Sequence, residues 1–264
     1  MTTSLIINGA AGRMGRRITA LAVENGNFDI TAALEHTESM MLGMDAGEVA
    51  GVGNIDTKIS SEKPDGADVM IDFTLAAAAD ETISYCLSSG TALIMGTTGL
   101  SEKQLAAVKS ASEKIAVIQA TNMSVGMNVL FEMAKNAASM LGDEYDIEII
   151  EQHHRFKKDS PSGSALTLAE RAAEGAGLDY PACLQHGREG GDCLRKKGTI
   201  GMHAVRCGDI IGEHEVLYSC LGETVKLSHS AHNRDNFVRG AIRAAHWIAG
   251  KKPGLYTMKD VLGL

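Results

Sequence analysis

The chain has 264 residues, 44% apolar and 22% charged, which is ordinary globular usage, excludes disorder as the main state, and suits one large domain or two modest ones. The net charge of −8 disfavours a general nucleic-acid binder, which needs lysine and arginine in excess to neutralise phosphates. No apolar run reaches the ~20 residues of a membrane helix, and Met1-Thr2-Thr3-Ser4 lacks a basic leader, so a cytoplasmic protein without a membrane partner is expected.

In chain order, Ser4–Asn8 reads as a short strand, followed by a glycine-rich turn and a helix over Arg13–Glu24. Phe28–Glu35 reads as a second strand, and His36–Asp56, with weak periodicity, as irregular chain. Ala67–Thr74 and Thr91–Thr97 are apolar strand candidates flanking a helix over Ala76–Ser88. Another helix starts at Ser101, and Ile115–Ala120 closes the series as a strand. Continuous apolar strands alternating with helices predict a parallel sheet covered on both faces, a doubly wound Rossmann-type α/β domain over residues 1–124. The texture then changes. Ser124–Leu141 has helical spacing, Asp146–Gln152 alternates like a strand, and Pro161–Ala176 contains a helix. Thr199–Ser228 is strand-like and broken by glycines, which suits an antiparallel sheet, and a helix near Asn236–Ala249 precedes a short tail. Residues 125–234 are thus expected to form a mixed α/β second domain.

Two constellations carry chemistry. The first is Gly9-Ala10-Ala11-Gly12-Arg13-Met14-Gly15, between a strand and a helix. Glycines there let the backbone turn sharply and approach a pyrophosphate, which then sits on the amides of the helix N-terminus. Glu35, at the end of the second strand, can accept hydrogen bonds from ribose hydroxyls and favours NADH over a 2′-phosphate, although His36, Arg13, Arg16 and Arg17 are near enough in sequence to offset part of that repulsion. The second runs from Glu151 to Leu166 and packs His153, His154, Arg155, Lys157 and Lys158 against a helix start at Pro161-Ser162-Gly163-Ser164. Histidine, or a lysine among cations, can donate a proton near neutral pH, and the helix start offers amides and hydroxyls to a carboxylate. The segment Glu151–Arg206 carries a local charge of +2 against −10 elsewhere, which suits a small anionic substrate. Five cysteines without a Cys-x-x-Cys pair read as reduced thiols, and no metal site is expected.

Gly9–Gly15, Gly96-Thr97-Thr98, Asn122–Asn128 and the His153–Leu166 block, in that order, resemble the 4-hydroxy-tetrahydrodipicolinate reductase (dihydrodipicolinate reductase) family over essentially the whole chain. The resemblance implies reduction of 4-hydroxy-tetrahydrodipicolinate to tetrahydrodipicolinate, in lysine and diaminopimelate biosynthesis, with NADH or NADPH. It implies cofactor contacts at Gly9, Ala10, Ala11, Gly12, Arg13, Met14, Glu35, His36, Gly96, Thr97, Thr98, Ala120, Thr121, Asn122 and Met123. His153 and Lys157 fall on proton-donor positions, and His154, Gly163 and Ser164 on positions that bind a cyclic dicarboxylate. It further implies that residues 235–264 return to the first domain, that the second domain also serves oligomerisation, and that the chain forms a homotetramer. Ser164 stands where the family usually has threonine, Met123 where an aromatic is commoner, and His36 where some relatives carry arginine; Phe156 is given no role. The same residues leave open a dehydrogenase of another amino-acid-like substrate, or a non-catalytic NAD(P)-sensing protein, because one fold hosts many chemistries.

Overall fold

The computed structural model describes residues 2–264. The chain divides into two compact units, Met1–Ser124 with Asp235–Gly263, and Val125–Arg234.

In the first unit the chain runs β1 (Thr3–Asn8), α1 (Arg13–Asn25), β2 (Phe28–Leu34), α2 (Ala46–Ala50), β3 (Ile59–Ser60) and β4 (Val69–Asp72). It continues through α3 (Ala79–Ser89), β5 (Ala92–Met95), α4 (Glu102–Ala111) and β6 (Ala116–Gln119). All seven strands are parallel, in the order β12-β6-β5-β4-β1-β2-β3, with β12 being Gly254–Tyr256 near the C-terminus. Successive side chains point to opposite faces, and both faces are covered. Leu5, Ile7, Val69, Ile71 and Ile94 pack with α1 and with α7 (Asp235–Ile248), whereas Ile6, Met70, Leu93 and Met95 pack with α3 and α4. This is why the strands read as unbroken apolar runs. Ser101 caps α4 in a capping box with Gln104, the reciprocal bonds that a serine three residues before a glutamine permits.

Three sequence expectations need correction here. The irregular stretch contains α2, nucleated because the Asp45 carboxylate accepts from the amides of Gly47 and Glu48, and the short β3 follows it. The first turn of the Ala76–Ser88 helix is a separate 3-10 turn at Ala76–Ala78. The short tail holds β12 and α8 (Met258–Leu262), which are too brief for periodicity to reveal.

The second unit runs α5 (Val125–Leu141), β7 (Asp146–His153), α6 (Gly163–Ala176), β8 (Leu184–His186), β9 (Ile200–Arg206), β10 (Glu213–Cys220) and β11 (Glu223–Ser230). Its sheet has the order β11-β10-β7-β9-β8. The expected antiparallel sheet is in fact mixed, because β9 pairs parallel to both β7 and β8 while β10 pairs antiparallel to β7 and β11. Alternation along β7 buries Ile147, Ile149, Glu151 and His153 on the face that α5 and α6 cover. A carboxylate and an imidazole therefore continue a row of core positions.

Candidate functional site

In the first unit the strands all end at one edge of the sheet, and the residues singled out from sequence gather there. β1 stops at Asn8, and Gly9 takes a positive φ of 82° to turn the chain. The amides of Gly9 and Ala10 both donate to Leu34 O at 2.9 Å, pinning the loop to the end of β2. A Cβ on Gly15 would stand 2.1 Å from Gly9 O, so only glycine lets α1 come this close. Gly12 caps α1 without a side-chain bond, which leaves the first-turn amides and the positive helix end for an anion. Glu35 accepts from the amide of Ala11 at 3.0 Å and from that of His36 at 3.1 Å, so its carboxylate lies against the loop. These features fit a dinucleotide.

The remaining residues of this edge divide by where their side chains go. Met14 lies partly buried against the core, while Arg13, Thr98 and Thr121 are exposed. Thr97 is buried, donating to Asp72 Oδ2 at 2.6 Å and accepting from the amide of Thr74. Met123 is likewise buried, among α7 side chains, while its carbonyl lies where a Cβ on Gly240 of α7 would meet it at 1.7 Å. The side chains of Thr97 and Met123 are thus turned into the protein. Gly96 lies under the Phe73 ring, 2.5 Å from it at its would-be Cβ, and Ala120 and Asn122 follow β6. Arg17 pairs bidentately with Asp235 at 2.7 and 2.9 Å and Arg16 Nε donates to Ala11 O, while the exposed His36 ring brings Nε2 to 4.0 Å from Glu35 Oε1.

Sequence reasoning missed Asp72 at the end of β4. It is wholly buried and accepts from Asn8, Thr74 and Thr97. Burial raises its pKa against those neutral donors, and no cation is among its hydrogen-bond partners. An acid within Val69-Met70-Ile71-Asp72-Phe73 was the available signal.

The second unit holds the other constellation. His153 ends β7, 8% exposed, with Nδ1 2.6 Å from Glu151 Oε2. Glu151 is wholly buried. Arg206, at the end of β9, donates Nη1 and Nη2 to its two oxygens at 2.7 and 2.8 Å, and the Ser162 amide donates to Oε1 at 3.0 Å. Burial pushes the carboxyl pKa upward, but hydrogen bonds from His153, Arg206 and Ser162 outweigh it and hold Glu151 at about 2. His214, on β10, stands edge-on to His153 with centroids 5.2 Å apart and shares a 3.2 Å hydrogen bond with Ser162 Oγ. Burial first, and then the charge of His153, lower His214 to about 3, so it is neutral near pH 7.

Ser162 also caps α6 by accepting from the Ala165 amide at 3.1 Å. Capping falls to Ser162, not to Ser164. Gly163 is exposed, and a Cβ there would meet no atom within 4 Å, so the helix begins against open space. Lys157 pairs with Asp159 at 2.9 Å in the turn after β7, and the His154 ring lies 6.3 Å from that of Phe156. Glu151 headed the motif without an assigned role. Arg206 and His214 were invisible because sheet pairing, not sequence proximity, delivers them. Among the described residues no group of three His, Cys, Asp or Glu side chains is placed to hold a metal ion, and no helix is long and apolar enough to cross a membrane.

A doubly wound parallel sheet with a glycine loop at its carboxyl edge, joined to a mixed-sheet unit with a buried histidine cluster, defines an α/β oxidoreductase. Family models for the N-terminus and the C-terminus of dihydrodipicolinate reductase match residues 3–123 and 126–262. The 4-hydroxy-tetrahydrodipicolinate reductase of Alkalilimnicola ehrlichii is 47% identical, with both chains covered in full. That of Syntrophotalea carbinolica is 46% identical over 98% of each. A solved structure, the dipicolinate-bound dihydrodipicolinate reductase from Paenisporosarcina sp. TG-14, is 25% identical with a TM-score of 0.74, over 97% of this chain and 98% of that one. An amine dehydrogenase from Mycobacterium smegmatis shares the fold alone, at 12% identity and TM-score 0.63 over 98% of this chain and 95% of that one. The chain belongs to the dihydrodipicolinate reductase family. Its activity is that of a 4-hydroxy-tetrahydrodipicolinate reductase in lysine and diaminopimelate biosynthesis.

Proposed function

We propose that the unit Met1–Ser124 with Asp235–Gly263 holds the nicotinamide cofactor, and that Val125–Arg234 holds the cyclic dicarboxylate and supplies the proton. When bound, the cofactor supplies the hydride. The observation that carries the second half is His153, seated on a buried carboxylate beside a helix start whose Gly163 faces open space, in a locally basic segment. Reduction of a conjugated ring adds one hydride and one proton; His153 and Lys157 are the proton donors on offer. Each ring carboxylate loses hydration on entering the protein, and charge-assisted hydrogen bonds must offset that loss. Gly163 allows close backbone approach, the Ser164 hydroxyl adds a donor, and His154 and Lys157 complete the clamp. Dipicolinate bound to the Paenisporosarcina relative supports a planar dicarboxylate as ligand.

Glu35 against the loop supports NADH binding at least as well as NADPH, since His36 cannot match the fork of an arginine for a 2′-phosphate. Five free thiols suit a cytoplasmic location. The test generates substrate in place from pyruvate and aspartate semialdehyde with a synthase and follows oxidation of each reduced nucleotide. His153→Ala and Lys157→Ala are each expected to lower turnover by about 10²–10⁴-fold with nucleotide binding nearly intact. Ser164→Ala and Gly163→Val are expected to raise KM and abolish inhibition by pyridine-2,6-dicarboxylate while thermal stability changes little. Full turnover in both of the first variants moves the proton donor elsewhere; retained inhibition in the second pair moves the anion site.

A further inference from the structure

A histidine can exchange a proton through either ring nitrogen, and the surroundings of His153 treat the two differently. Nδ1 faces Glu151 Oε2 at 2.6 Å. Glu151 is wholly buried, clamped on both oxygens by Arg206 and on one by the Ser162 amide. An ionised carboxylate can only accept hydrogen bonds, so the proton between these two atoms resides on Nδ1. The other nitrogen, Nε2, looks toward Gly212, where a Cβ would come within 3.1 Å of it. Gly212 is not among the positive-φ residues, so its backbone does not require glycine, whereas a side chain there would crowd Nε2. We propose that Glu151, held by Arg206, is a positioning residue that fixes His153 as the Nδ1–H tautomer and thereby makes Nε2 the atom that exchanges the proton.

The inference rests on His153 being a proton donor. In the donating state both nitrogens carry hydrogen. Nε2–H passes its proton to the substrate carbon, leaving neutral His153 still bonded to Glu151 through Nδ1–H, and solvent returns the proton to Nε2. The charged or titratable groups of the neighbouring elements are Glu151 on β7 with Arg206 on β9 bonded to it, and His214 on β10 edge-on to the ring, with His229 on β11 and Lys157 in the turn acting on His214. His214, being neutral, does not oppose a proton on its neighbour. Arg206 offsets the buried carboxylate without offering His153 an alternative acceptor, since a guanidinium only donates.

The tautomer is read directly by nitrogen-15 NMR of His153 in the wild-type protein at alkaline pH. Protonated Nδ1 with unprotonated Nε2 is expected; the opposite assignment overturns the proposal whatever any variant does. Glu151→Gln, whose amide can donate as well as accept, is expected to mix the tautomers and lower kcat by about 10²-fold or more, with KM and nucleotide affinity within about twofold. It should also displace the alkaline limb of the kcat profile, where a proton donor is lost, which a merely structural defect would not move. Unchanged tautomer and unchanged kcat in folded Glu151→Gln overturn the positioning role. His153→Ala, measured alongside, separates the two layers: full turnover there removes the proton-donor assignment, while the tautomer result stands by itself.

Discussion

At the scale of single residues, what could be read from sequence is whatever chemistry announces locally. His153, Lys157 and the Gly163-Ser164 helix start lie within one short block, and Glu35 follows its glycine loop at a familiar interval. What could not be read is the direction of a side chain. Thr97 and Met123 turn inward, Arg17 goes to Asp235, and Arg206 and His214 reach Glu151 and His153 from strands that are far off in sequence but adjacent in the sheet. His214 makes a measurable residue-scale prediction. Its folded pKa is lowered from 6.5 to about 3, so below pH 6.5 the unfolded chain takes up a proton there that the folded chain refuses. Stability is therefore complete above 6.5 and falls as pH drops toward 3. Between pH 6.5 and 5 this one residue costs about 2 kcal/mol. The window of Glu151 lies lower, from its ordinary 4.5 down to about 2, so the two do not overlap above pH 5. Urea unfolding of His214→Gln is expected to show a flatter loss between pH 7 and 5 than wild type; identical slopes would sink the assignment.

At the scale of elements, apolar periodicity identified the long helices and the buried strands, because three or more turns of a covered face leave a statistical trace. It failed for α2, β3, β8, β12 and α8, each of five residues or fewer, where one cap or one ladder bond decides the conformation. It also misjudged β9, since strand direction depends on which neighbour is met and alternation reads alike either way. The crossing of α5 and α6 shows how an element places the site. Gly175 of α6 sits so close to α5 that a Cβ would stand 2.1 Å from Lys135 O and 3.0 Å from the Ala138 Cβ. The same α6 carries Ser162 and Gly163 at its other end. Gly175→Ala gains about 1 kcal/mol of helix propensity, but relieving an overlap with backbone costs about 1–3 kcal/mol or more. The variant is expected to melt several degrees lower and to weaken dicarboxylate inhibition as the N-terminus of α6 shifts. A rise in Tm would show that the helices do not meet this closely.

At the scale of the whole molecule, the unit Val125–Arg234 exposes β11 as an edge strand, with most of its residues open to solvent. An unpaired edge of this length is usually covered or paired, which supports the homotetramer proposed from family likeness, with strands shared across subunits. Sedimentation is expected to give about four times the chain mass; a monomer at working concentration would remove this part. The interrupted first unit has a separate consequence for how the chain is made. α7 supplies Val238, Ala241, Ala244 and Ala245 to the core on one side of the parallel sheet, and β12 pairs Gly254 with Ala116 on its rim. On a ribosome, six strands of that sheet emerge before any of this covering does. The later-emerging unit is contiguous and can close first, while the older one waits with an oily face and an open rim. The nascent chain is thus more vulnerable in the strands made before Val125, and α7 through α8 act as the closing piece of a unit whose first strands were made long before.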